Sequence, residues 1–199
     1  MKRLFTENDL DEIIIEAAAD GRHRDAAVRL EELAAQPDLH SEVSAATLLV
    51  SAGGQYGLAN DFDEAIRCYR AAFEDGGETE VDPRVWLHDA LMRKGDMAEA
   101  KNLRAELKKS RSTDPEVYGA VADSLVSFGQ DQEAHTWYTM GYHRCQEAPI
   151  PEFMLDLLLI GRRNARRRMG YPVDELDMAA EEYMDSFRHL GEEDEELDQ

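Results

Sequence analysis

Apolar residues along this chain recur at spacings of three and four, the period of a helix with one buried face. Leu10, Ile13, Ile14 and Ala17 form one such set; Leu49, Ala52, Gly53 and Tyr56 form a second. Arg84, Leu87, His88 and Leu91 stand in the same phase, as do Tyr118, Val121, Ala122 and Leu125. No stretch sustains the period-two alternation and β-branched enrichment of a strand. The pattern predicts helices throughout.

A longer period is superposed on the short one. Four segments share a turn and a helix start: Gly21-Arg-His-Arg-Asp-Ala26, Asn60-Asp-Phe-Asp-Glu-Ala65, Gly95-Asp-Met-Ala-Glu-Ala100 and Gly129-Gln-Asp-Gln-Glu-Ala134. The alanines at 26, 65, 100 and 134 follow one another at intervals of 39, 35 and 34 residues. Each turn offers Gly or Asn for a left-handed backbone state, and Asp61 and Asp96 stand where an N-cap is needed. Small residues at Gly53, Ala65 and Ala72 let paired helices approach closely, with Leu49, Tyr56 and Tyr69 filling the space around the contact. Pro37-Asp38, Asp82-Pro83 and Asp114-Pro115 divide one pair from the next.

In period and in these positions the chain resembles the tetratricopeptide repeat family (TPR), in its bacterial type. The resemblance implies an all-α fold: an α-α superhelix, or solenoid, of about four helix-turn-helix repeats closed by a capping helix pair. The expected repeats span about 7–38, 42–76, 81–112 and 115–147, and the capping helices span 150–190. His88 and Ile14 stand where the family prefers a small residue, so looser local packing is expected there. The segment from Leu157 to Asp177 also resembles the ends of bacterial tetratricopeptide proteins that occur with a cysteine-rich metal motif, the SEC-C motif. That motif is absent here, so no metal is implied, and the likeness favours a bacterial cytoplasm.

After Pro149-Ile150-Pro151 the segment Phe153 to Ile160 is apolar on nearly every face, which predicts burial on two sides. The expected partners are the helix around Ala134 to Tyr142 and one from Val173 to Leu190. Alternatively, this helix pairs with its copy in a homodimer. Arg162, Arg163, Arg166, Arg167 and Arg168 put five arginines into seven residues. They read either as an anchor for an anionic partner, nucleic acid being the alternative this run keeps open, or as a cluster neutralised internally by Asp174, Glu175, Asp177, Glu181 or the terminal acids. Residues 191–199 are too acidic and too poor in apolar side chains to fold alone, and are expected to be a disordered tail.

With 43 acidic against 22 basic residues the formal net charge is −21. Such a field favours basic partners, so nucleic acid is not an expected partner and neither is a membrane. No apolar run is long enough to span a bilayer, and the N-terminus passes directly into Glu7, Asp9, Asp11 and Glu12, so a cytoplasmic location is expected. Two cysteines, Cys68 and Cys145, are too few for a disulfide framework or a zinc site. The six histidines are scattered, and no phosphate loop or nucleophile motif occurs; neither cofactor, metal nor catalysis is expected.

The resemblance leaves the concave face, lined by the first helix of each repeat, as the functional surface. Register places Asp11, Asp82, Trp86, Asp89, Arg93, Glu116 and Asp123 on or near it. Tetratricopeptide proteins that hold the C-terminal carboxylate of heat-shock chaperones use lysine and asparagine there. Carboxylates outnumber cations at these positions, so a basic peptide or protein is the expected partner, with Trp86 as an aromatic anchor.

Overall fold

Several helices of the chain begin at a residue whose side chain caps them. The computed structural model describes residues 3–36 and 39–197, with side chains as far as residue 186. Pro37 and Asp38, expected to break a helix, lie outside the described residues, as do residues 198–199. Among the described residues all regular structure is helical: α1 Glu7–Asp20, α2 His23–Ala34, α3 Ala45–Leu58, α4 Phe62–Asp75, α5 Pro83–Lys94, α6 Met97–Ser110, α7 Pro115–Ser127, α8 Asp131–Cys145, α9 Glu152–Arg168 and α10 Glu175–Leu197. None of them is long and apolar enough to cross a membrane. The chain divides into two contact units, Met1–Leu107 and Lys108–Gln199.

In the first unit Thr6 and Asp9 close a reciprocal capping box on α1, and Ser44 accepts the Thr47 N–H to start α3. Asp82 accepts the Arg84 N–H, and Pro83 occupies the first turn of α5, where a missing N–H costs nothing. Asp96 accepts the Glu99 N–H at the head of α6. Asp61, expected to do the same for α4, makes no side-chain cap; its carboxylate is ion-paired with Arg24 instead. Asn60 (φ 58°) supplies the left-handed turn before it.

Consecutive helices pack in series: α1 on α2, α2 on α3, α3 on α4 and α4 on α5, with α3 also touching α5. Ala52, Ala65 and Ala72 are buried at these contacts together with Tyr56 and Tyr69. The closest approach is at Gly53, where a Cβ would lie 2.6 Å from the Tyr69 ring. His88 is fully buried. Its Nε2 lies 3.1 Å from Nη1 of Arg104 on α6.

The second unit repeats the device. Here α7 packs on α8, α8 on α9 and α9 on α10, with α7 also touching α9. Gly141 lies against the Tyr118 side chain and Gly161 against the Tyr138 ring, each too close for a Cβ. Tyr118 is fully buried, donates its hydroxyl to the Ser112 carbonyl at 2.6 Å, and stacks at a tilt on Trp137.

As expected, α9 is covered on two sides, by α8 and α10, with Leu158 and Leu159 buried; Phe153 and Leu157, one turn apart, are about half exposed. The backbone of 191–197 continues α10 as helix. Glutamate is a good helix former, and extending a helix already started is far easier than nucleating one.

Candidate functional site

Trp86, Asp89 and Arg93 follow one another at helical spacing on α5, so they share one face. With them Gly54, Gly57 and Leu58 of α3 and Phe62, Ala65 and Tyr69 of α4 line one opening. Together they enclose an open groove of about 200 Å³ within the first unit.

The floor of this groove is made by glycines that packing does not require. A Cβ at Gly57 would meet nothing within 4 Å, and one at Gly54 only the Tyr69 hydroxyl at 3.9 Å. Glycine in a helix interior is unfavourable by roughly 1 kcal/mol relative to alanine, which bears on Gly54, whereas Gly57 is the penultimate residue of α3. Gly53 packs against Tyr69, while Gly54 and Gly57 leave open space beside the helix.

The groove wall is amphipathic. Trp86 is 37% exposed and, among the described residues, makes neither a hydrogen bond nor a ring contact. Leu58 is exposed beside it. Asp89 is the one carboxylate of the lining, and Arg93 Nε donates to it at 2.5 Å. Burial together with the Asp89 charge pushes the Tyr69 phenol well above its ordinary range, so it stays a neutral wall residue.

The other four residues expected on the concave face do not line this groove. Asp82 caps α5 and holds Arg84 in a two-point pair, with its Oδ2 2.6 Å from Nη2. Asp11 is exposed on α1, outside the groove lining. Glu116 and Asp123 belong to α7 in the second unit, where Asp123 accepts the Tyr138 hydroxyl. Sequence reasoning missed Leu58, Phe62, Gly54 and Gly57. The available signal was a pair of helical glycines beyond the one that the repeat pattern uses.

The arginine run forms a clamp between α9 and α10. Arg162 is 6% exposed and bridges Asp174 (2.6 Å) and the buried Asp177 (2.8 Å). Arg166 binds the same two carboxylates and the Pro172 carbonyl, with its guanidinium over the Tyr171 ring. Arg163 pairs with Glu181, and Arg168 reaches Asp131 on α8. Arg167 is exposed. The neighbouring guanidinium of Arg162 holds the Asp174 carboxyl well below the usual carboxylate range. Of the two readings of the run, these contacts bear on internal neutralisation, with Asp131 a partner the sequence did not suggest.

Cys68, Cys145 and His88 are enclosed. Burial pushes the Cys68 thiol up to about 12 and the Cys145 thiol up to about 11, so both stay protonated at neutral pH. Burial and the Arg104 charge push His88 down to about 4. Among the described residues no group of three or more His, Cys, Asp or Glu is placed to hold a metal ion. No protein-family model matches the chain, and no curated protein matches it.

Proposed function

We propose that the chain is a non-catalytic interaction module of the tetratricopeptide type, whose groove between α3 and α5 holds a segment of a protein partner. The observation that carries this reading is the glycine-floored opening beside an unengaged Trp86. Hairpins in series, with alternate helices α3 and α5 in contact, are what stacked repeats of that family require. Aromatic side chains at the edge of a concave, mostly apolar surface are the usual anchors of peptide recognition. The first unit carries 23 acidic and 12 basic residues, which favours a basic segment.

The test fills the groove without disturbing the core. Gly57→Leu adds a side chain into open space, and its partner should be lost while its melting temperature holds. Capture of the same partner at undiminished yield by this variant would argue against the groove.

A second reading is favoured by the exposed pair Phe153 and Leu157, which suits a homodimer formed through α9. Light scattering at micromolar concentration tests it; a strict monomer removes it.

A further inference from the structure

Resting on the groove reading above, we infer that the groove takes an arginine side chain of the partner, its guanidinium laid on the Trp86 indole and paired with Asp89 in place of Arg93. Three observations converge on this. Trp86 presents an aromatic surface that no cation among the described residues covers, three residues before the only carboxylate of the lining. That carboxylate is held by an exposed partner four residues along the same helix, Arg93, and exposed pairs of that kind are weak. An incoming guanidinium therefore displaces Arg93 at little cost, and Arg93 can swing into water.

The third observation is that this protein already builds the same arrangement twice from its own residues. Arg84 lies 4.7 Å from the centre of the Phe73 ring while its guanidinium grips Asp82. Arg166 lies 5.4 Å from the centre of the Tyr171 ring while bound to Asp174 and Asp177. In both, an aromatic face and a carboxylate together satisfy one planar cation. Trp86 and Asp89 offer the same pair of surfaces, with Asp89 held only by the exposed Arg93 and the indole covered by no cation among the described residues. Indole is the best aromatic partner for a cation, and guanidinium, being planar and weakly hydrated, exploits face and fork at once where an ammonium cannot. Leu58 and Phe62 can cover the aliphatic stem or an adjoining apolar residue of the partner.

The experiment selects binders of the full chain from a random peptide library and measures their affinities for four variants whose folding is checked by thermal melting. Support requires that the selected peptides share an arginine. Its replacement by citrulline, which keeps the shape and removes the charge, should weaken binding at least tenfold. Asp89→Asn and Trp86→Ala should each do the same, and Gly57→Leu should abolish binding. Arg93→Gln should tighten it, since the competing internal cation is gone. Peptides that need Gly57 and Trp86 but carry no common arginine, or that bind Asp89→Asn equally well, would overturn the inference and leave the groove reading standing. Peptides indifferent to Gly57→Leu and Trp86→Ala, or a selection that yields no binder, would end both.

Discussion

His88 and Arg104 form a buried cation–imidazole contact, and its chemistry is constrained by what each group can do. A guanidinium has only donors, so the His88 Nε2 must accept, which leaves the ring neutral with its proton on Nδ1. That Nδ1 has no partner among the described residues. The ordinary histidine value is 6.5 and the folded value is about 4, so between these limits the unfolded chain binds the extra proton and the folded chain does not. Stability through His88 is therefore complete above about pH 6.5 and is withdrawn as the pH falls toward 4. Each tenfold difference in proton affinity between the two states corresponds to ~1.4 kcal/mol, so acidification to about pH 4.5 should cost roughly 2–3 kcal/mol through this group. Urea titrations of wild type and His88→Leu at neutral and at that acidic pH check it: the variant should lose distinctly less on acidification. His88 was visible in the sequence as a member of the apolar-phase set Leu87, His88 and Leu91. Arg104 as its neighbour was not, because spacing along α5 says nothing of which side chain α6 delivers.

At the scale of the helix, three glycines in α3 carry opposite expectations. Gly53→Ala drives a methyl into the Tyr69 ring and should destabilise the protein by about 1–3 kcal/mol. Gly57→Ala meets open space and removes a helix-weakening residue, so it should stabilise by about 0.5–1 kcal/mol. Denaturant midpoints of the two variants, taken side by side, settle the contrast. Between α9 and α10, Asp177→Asn leaves Arg162 buried beside a weaker acceptor. A loss of roughly 3 kcal/mol is expected, read from the same melts. The helix pairs were legible in the four repeated turns, since Gly21, Asn60, Gly95 and Gly129 all occupy the left-handed state that ends a helix. Less legible was what each acid does. Asp61 and Asp96 look alike in sequence, yet Arg24 draws Asp61 away from capping. Trp86, Asp89 and Arg93 come together because they ride on one helix face, whereas Asp11, Glu116 and Asp123 depended on a register that local periodicity does not determine.

For the molecule as a whole the net charge of −21 and the internal clamp on Arg162, Arg163, Arg166 and Arg168 act in the same direction. The chain should pass through a heparin column at physiological salt; retention would mean that the run is freed in solution. Each contact unit also holds one tryptophan, the half-exposed Trp86 in the first and the buried Trp137 in the second. Each holds one enclosed cysteine as well, Cys68 and Cys145. Nature has thus installed a matched pair of reporters, one emissive and one alkylatable, in either half of the polypeptide. Maleimide trapping followed by peptide mass mapping can time how often each half breathes open, and the ratio of the two clocks reveals whether melting travels along the chain or strikes it everywhere at once.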